Sequence, residues 1–347
     1  MIFLKGKASI LVDFHPLFAK KLFLASIISM NMPYEMLAFY RFTPIKNPRN
    51  VIKEFKDFFE SLKMGPAKGR VYISEEGING QMSVHAEDLS AAKRYLSSII
   101  GLCDMPIKTQ SYSTHGFEKL IIKYRKYLVG IKAPVNLTLK GEYLSPKEWK
   151  KTLEDENDIL IVDGRNDYEW EVGHFKGAEK PPCKTFRDFP GYIQKIKKEH
   201  GTDKKVLMSC TGGIRCELLS SMMKEEGFDN VYQLEGGVIN YGNTMGSDQW
   251  KGRLFVFDDR MATPLKKGEN PEPISACHTC DTLSDTHYNC ANMDCNKLFL
   301  ACPSCIEKRQ GCCSEGCRSA PRLRKFNAKA GNLPFRKWYK YFEDKSA

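Results

Sequence analysis

The sequence predicts an α/β protein in three parts: a central domain on a parallel sheet, an α+β domain before it, and a small cysteine-rich segment after it. Three observations predict this. Between residues 140 and 250, short apolar runs at 159–162, 206–208 and 231–234 alternate with helical patterns, as buried parallel strands and their crossovers do. Residues 33–135 carry the order strand, helix, strand, strand, helix, strand, a split βαβ arrangement. Nine of the thirteen cysteines crowd into residues 277–317 in close pairs, the spacing of metal ligands rather than of a disulfide framework spread along the chain.

Residues 1–32 are read as an extension that contributes little to the fold. Lysines and an apolar stretch give them a faint leader-like pattern, but Asp13 and the scattered charges break its order. In the first domain, residues 36–42 alternate like a strand. Residues 48–62 carry a helical stripe of Val51, Phe55, Phe58, Phe59 and Leu62. Residues 69–74 and 78–84 read as paired strands, 86–100 as a helix with Leu89, Ala92, Leu96 and Ile99 on one side, and 107–112 as a last strand. This is a ferredoxin-like order, found in domains that bind RNA or dock partners, although a fold alone does not assign a function. Lys119, Lys123, Arg125, Lys126 and Lys132 follow, interleaved with Tyr124 and Tyr127. That pattern suits RNA backbone contact and base stacking, and equally a strand edge guarded by lysines.

The central domain, residues 140–250, opens on Ser145-Pro146-Lys147-Glu148, a capping box with Pro at the first helical position. The run 159–162 ends in Asp163-Gly164-Arg165, with Asp163 bracing the strand end and Arg165 placed to pair with it or with Glu169. The run 206–208 leads into Cys210-Thr211-Gly212-Gly213-Ile214-Arg215-Cys216 and then a helical pattern. A cysteine on a glycine turn at a helix N-terminus has its thiolate favoured by backbone N–H groups and by the helix dipole. Arg215 adds a fixed positive charge, so a thiolate or persulfide on Cys210 is expected there. Cys216 lies in the first helical turn; packing is the preferred reading, a resolving or second reactive thiol the alternative. His174 is either a proton shuttle or a packed hydrogen-bonding side chain. Lys184 and Arg187, beside Phe186 and Phe189, are candidates for phosphate contact and base stacking near Cys210, with core packing preferred for Phe189.

The third segment, residues 252–317, reads Cys277-x2-Cys280, Cys290-x4-Cys295, Cys302-x2-Cys305, Cys312, Cys313, Cys317. Two-residue spacings let two thiolates of one turn reach a single tetrahedral zinc, and eight thiolates complete two sites. The proposed pairing is Cys277, Cys280, Cys302 and Cys305 at one ion, and Cys290, Cys295, Cys317 and either Cys312 or Cys313 at the other. His278 and His287 stand as substitutes. The zinc is expected to be structural, because closed thiolate sites leave no open position and so small an apolar content needs metal to fold. From residue 318 to the end, nine Lys/Arg face two acidic residues, with Phe335, Trp338, Tyr339, Tyr341 and Phe342 among them. This basic aromatic tail, with Arg322, Arg324, Lys325, Arg336 and Lys337, is the foremost candidate for RNA contact, along with Lys123, Arg125, Lys126, Lys184 and Arg187.

Composition narrows the class. A net charge of +11 points to a polyanionic partner, nucleic acid more often than a membrane surface, or else to a merely solvated basic face. No apolar run approaches the ~20 residues of a spanning helix. Clustered rather than dispersed cysteines indicate a reducing compartment, hence the cytoplasm.

The motif Asp163-Gly164-Arg165-Asn166 with Tyr168-Glu169, then Gly173-His174-Phe175, Ala178, the Cys210 loop and Leu234-Glu235-Gly236-Gly237-Val238 together resemble a rhodanese domain. With Glu217 closing the loop motif, Phe186-Arg187-Asp188-Phe189-Pro190 and the flanking domains, nearly everything after residue 33 resembles the bacterial rhodanese-type tRNA uridine(34) hydroxylases. The resemblance implies conversion of the wobble uridine of certain tRNAs to 5-hydroxyuridine, with molecular oxygen as co-substrate and Cys210 as the reactive thiol. The partner expected is tRNA, with no DNA and no membrane. No flavin, haem or dinucleotide motif accompanies it. Two alternatives stay open: a sulfurtransferase that carries a Cys210 persulfide to an RNA or small acceptor, and a non-enzymatic RNA-binding scaffold.

Overall fold

The computed structural model describes residues 32–99, 101–131 and 135–326. Most of the N-terminal extension, Lys132, and the tail beyond residue 326 with Arg336 and Lys337 lie outside the described residues.

The first domain is built on β1 (Tyr34–Phe42), α1 (Pro48–Glu60), β2 (Lys68–Ser74), β3 (Gly77–His85), α2 (Leu89–Ser98), β4 (Ile107–Tyr112) and β5 (Leu120–Tyr124). The strands form one sheet in the order β4-β1-β3-β2-β5, antiparallel except for the β2–β5 pair. Strand alternation divides the residues between two faces. Leu37, Phe39, Val71, Ile73, Ile78, Met82 and Val84 join Phe55 and Phe59 of α1 and Ala92 and Leu96 of α2 in one closed core. Each buried aromatic or aliphatic side chain there contributes about 1.5–3 kcal/mol. The opposite face carries Tyr40, Arg70, Tyr72, Asn79, Gln81 and Lys108, and neither α1 nor α2 covers it. The predicted strand order lacked β5. Residues 120–124 form an edge strand parallel to β2.

The central domain continues with β6 (Glu142–Leu144), α3 (Pro146–Asp155), β7 (Ile159–Asp163), α4 (Asp167–Val172), β8 (Gly173–Phe175), α5 (Phe189–His200), β9 (Lys205–Ser209), α6 (Ile214–Glu225), β10 (Val231–Leu234) and α7 (Gly237–Met245). Its sheet is wholly parallel, β6-β10-β9-β7. The capping box at α3 forms: Glu148 N–H donates to Ser145 Oγ at 3.3 Å, and Ser145 N–H to Glu148 Oε2 at 2.9 Å. Both sheet faces are covered. Val162, Val206, Met208 and Val231 pack with Phe189, Ile193, Leu219 and Met223, while Leu207 and Leu234 pack with Trp149, Phe175 and Tyr241. Cys210 therefore emerges at the C-terminal edge of a central strand, where open α/β sheets hold their ligands.

Beyond α7, β11 (Trp250–Gly252) pairs with β8, and β12 (Leu254–Phe255) with β13 (Ala262–Thr263). The cysteine-rich segment is a hairpin of β14 (His287–Asn289) and β15 (Leu298–Leu300), followed by the short helices α8 (Pro303–Lys308) and α9 (Glu315–Arg318). Its core is largely sulfur: Cys277, Cys290, Cys302 and Cys312 are buried with Tyr288, Phe299 and Ile306.

Candidate active site

Cys210 sits between β9 and α6 and is fully buried. Gly213 N–H donates to its sulfur at 3.2 Å. Burial works against the anion. The hydrogen bond from the Cys216 thiol, the Arg215 charge and the backbone N–H groups of Cys216 and Gly213 outweigh it, lowering the thiol to about 5. Cys216 moves the other way: burial and the neighbouring Cys210 raise it well above the ordinary thiol range. It is packed, and it is also the donor that favours the Cys210 thiolate. Gly213 has φ 102°, and a Cβ there would lie 2.8 Å from the Tyr40 hydroxyl, so both backbone and space require glycine. The loop is fastened from behind by Val238 N–H to Cys210 O at 2.9 Å and Ile239 N–H to Thr211 O at 3.1 Å.

Two buried ion pairs brace the loop. Arg165 is bidentate on Asp163, with Nε to Oδ1 at 2.9 Å and Nη2 to Oδ2 at 2.6 Å, and also donates to Gly173 O. Arg215 is bidentate on Glu169 at 2.6 and 2.9 Å and donates to Thr211 Oγ1 at 3.2 Å. Of the two partners open to Arg165, the structure selects Asp163; Glu169 belongs to Arg215. Burial alone would raise the Glu169 carboxyl, but the Arg215 guanidinium holds it below the usual range. The positive charge beside Cys210 is thus shared with a carboxylate. Glu169→Gln is expected to cost about 3–5 kcal/mol in denaturant unfolding, because it takes the bidentate carboxylate partner from the buried Arg215.

The loop forms one wall of a cleft of about 350 Å³, and the uncovered face of the first domain forms the other. Thr211, Gly212, Ile214 and Arg215 face Tyr40, Arg70, Tyr72, Asn79, Gln81 and Lys108, with Phe117, Phe186 and Phe257 closing the sides. Lys108 Nζ donates to Gly212 O at 2.7 Å and lies 5.2 Å from the Tyr40 ring centre. Burial lowers its ammonium to about 8, with Cys210 and Glu217 opposing. Glu217 is buried at the junction and accepts from Tyr40 and Tyr143, with Lys140 Nζ at 3.3 Å. Sequence reasoning missed Lys108, Tyr40 and this use of Glu217. Their only sequence signal is strand alternation, which places Tyr40 on the polar face.

The remaining candidates divide. His174 stacks on Trp170 at 3.7 Å between ring centres, and its Nδ1 lies 2.9 Å from Trp170 O; it is a packed residue and does not line the cleft. Phe189 is core, whereas Phe186 reaches the cleft. Arg187 is exposed and donates to Gly130 O at the cleft rim, and Lys184 is exposed. Lys123, Arg125 and Lys126 are exposed at the β5 edge, Arg125 over Tyr72 at 5.1 Å and Lys126 over Tyr127 at 5.5 Å. Arg324 corrects an expectation. It is buried, donating to Cys290 O and Asn296 Oδ1 at 2.7 Å each, and so holds the cysteine segment together rather than offering its charge to RNA. Arg322 pairs with Asp294 at 2.6 Å, and Lys325 is exposed.

Eight cysteine sulfurs gather into two groups, Cys277, Cys280, Cys302 and Cys305, and Cys290, Cys295, Cys313 and Cys317, each with its sulfurs within 4.8 Å of one another. Four thiolates at about 2.3 Å from one tetrahedral ion lie about 3.8 Å apart. The observed Cys280–Cys302, Cys295–Cys313 and Cys313–Cys317 separations of 3.6, 3.7 and 3.8 Å fit that geometry. Each group could hold a metal ion. Cys312 is the spare: its sulfur is buried against Gln310 O, outside both groups. His278 and His287 are in neither group, and His287 faces Glu171 instead.

Three domain families match the chain: a UPF0176 acylphosphatase-like domain over residues 34–128, a rhodanese-like domain over 145–244 and a rhodanase C-terminal domain over 251–318. The tRNA uridine(34) hydroxylase of Protochlamydia amoebophila is 47% identical over 311 residues, covering 89% of this chain and 96% of that protein. Those of Chlamydia muridarum and Chlamydia felis are 47% and 45% identical, covering 89% of this chain and 93% and 95% of theirs. Among solved structures, a rhodanese-like domain from Anabaena has a TM-score of 0.28 at 19% identity, covering 32% of this chain and 78% of that one, a likeness too slight to build on.

Proposed function

The chain belongs to the tRNA uridine(34) hydroxylase family, and from that premise we propose that it hydroxylates the wobble uridine of tRNA through the Cys210 thiolate. The observation that carries the reading is the low-pKa thiol directly behind a two-domain cleft sized for one splayed nucleoside. An anticodon loop supplies such a base without melting a duplex. Addition of the thiolate to C6 of the uracil makes C5 electron-rich. One atom of molecular oxygen joins C5; the C5 proton and the thiolate then leave, giving 5-hydroxyuridine. The second oxygen atom leaves as water, with two electrons from an external reductant and two protons. Cys210 itself does not face the cleft; Thr211 and Gly212 do. Gly212, beside which a Cβ would meet nothing within 4 Å, is the open side of the loop, and the base approaches Cys210 there.

The RNA backbone is held by Lys123, Arg125, Lys126 and Arg187 around the cleft and by the basic tail. Arg215 and Asp163–Arg165 keep the loop in shape. Two structural zinc ions on the eight gathered cysteines hold the third segment. The compartment is the cytoplasm, in keeping with thirteen cysteines of which none is in a disulfide. No helix among the described residues is long and apolar enough to cross a membrane.

Nucleoside analysis of tRNA from a strain lacking the gene tests this. Wild-type protein is expected to restore 5-hydroxyuridine and its derivatives, and Cys210→Ala to leave them absent. Persistence of the nucleoside without the gene or any redundant pathway overturns the reading. Loss of a thiouridine instead identifies a sulfurtransferase, a chemistry the same anion-stabilising loop can serve.

A further inference from the structure

Strand register brings two carboxamides to the wall of the cleft opposite the Cys210 loop. Ile78, Gly80 and Met82 of β3 are buried, Ile78 and Met82 in the helix-covered core, so Asn79 and Gln81 between them face the other way. In one cross-strand row Asn79 stands between Tyr40 of β1 and Tyr72 of β2; in the next, Gln81 stands between Ala38 and Arg70. Both amides are half-buried and line the cleft, yet among the described residues neither has a hydrogen-bond partner in the protein. A carboxamide presents a donor and an acceptor side by side, and in both residues these groups are open to the cleft, where a bound ligand can pair with them. A uracil edge has the complementary set, an N3–H donor flanked by the O2 and O4 acceptors. Tyr72 in the same wall and Phe186 and Phe257 at the sides give the cleft an aromatic lining for the ring to pack against.

We propose that Asn79 and Gln81 bind the Watson–Crick edge of the target base, so that the first domain, and not the rhodanese-like domain, recognises the uracil presented to Cys210. The proposal rests on the hydroxylase reading above and deepens it. The carboxamides are positioning residues: they hold the ring over the loop and take no part in bond making.

The experiment uses the full chain and two anticodon stem-loop RNAs, carrying uridine or 3-methyluridine at position 34. Asn79→Ala and Gln81→Ala are each expected to lower kcat/KM for the uridine RNA by about 10–100-fold, the worth of a good base-edge contact. Methylation at N3 is expected to weaken the wild type by a similar factor and the double variant by less than about threefold, since its reader is already gone. A purely structural role predicts the opposite for this last comparison, with variant and wild type equally sensitive to the methyl group. Variants within threefold of wild type, or undiminished methyl sensitivity in the double variant, overturn the proposal. The same four pairings measured as Kd decide it separately from turnover. Binding without hydroxylation by wild type removes the hydroxylase reading while the methyl sensitivity of binding still tests the amides.

Discussion

Cys210→Ser is expected to abolish hydroxylation, lowering kcat/KM by roughly a thousandfold or more, because a group acting as the attacking nucleophile has no substitute in the site. Binding of tRNA should change little, since Cys210 does not face the cleft and the proposed RNA contacts lie elsewhere. The wild-type pH profile follows from the lowered thiol. The thiolate is present above about 5, so activity should fall as pH drops through that value. Stability carries the same signature. An unfolded cysteine titrates near 8.5, so between about 5 and about 8.5 the unfolded chain binds more protons at this position than the folded one. This contribution to stability is therefore complete above the unfolded value and is lost as pH falls through the folded one. Cys210→Ser should flatten that slope, which denaturant titrations at several pH values would read. An unchanged profile in the variant would contradict the assignment of the low-pKa group.

Metal removal should have the second large effect. The purified protein is expected to hold two zinc ions, and Cys277→Ser or Cys313→Ser to hold one, whereas Cys312→Ser should keep both. Structural zinc in small thiolate sites supplies about 10–16 kcal/mol of apparent folding free energy, so strong chelation should unfold the third segment. The active site should feel it. Ser275 Oγ donates to Glu171 O at 2.6 Å, and Leu300 packs with Val172 and Phe255. Glu171 and Val172 belong to α4, the same helix as Glu169, which holds Arg215 against the Cys210 loop. Loss of activity should accompany loss of zinc, and metal analysis beside the activity assay checks both. Two ions retained in Cys313→Ser, or one lost in Cys312→Ser, would reverse the ligand assignment.

What was legible in the sequence was local. The strand–glycine turn–helix around Cys210, the capping box at Ser145 and the cysteine pairs are encoded within a few residues, and the structure has them. What was not legible depends on elements far apart in the chain. Lys108 reaches Gly212 across 104 residues, and Tyr40 reaches Glu217 across 177. Neither has a motif, and only the packing of one domain on the other brings them to the site. Glu169 was a possible partner for Arg165 by proximity in sequence, but α4 turns it towards Arg215. The choice between Cys312 and Cys313 hinges on which of two adjacent sulfurs points outward from a turn, a property no spacing rule carries. Arg324 reads as one more charge of a basic tail, yet it satisfies the carbonyl of a ligand-bearing turn. Residues 120–124 escaped notice as a strand because Lys123 and its flanking Lys119, Arg125 and Lys126 look like any basic stretch.

The most direct test of the central claim is a search for the covalent bond between Cys210 and the base. An anticodon stem-loop with 5-fluorouridine at position 34 keeps C6 open to attack but lacks the C5 proton whose loss releases the enzyme. Incubation under turnover conditions, followed by peptide mass mapping, should find the RNA fragment on Cys210, and the Cys210→Ser protein should carry none. No adduct on Cys210, in protein that hydroxylates the unsubstituted RNA at its normal rate, would contradict thiolate attack on the base.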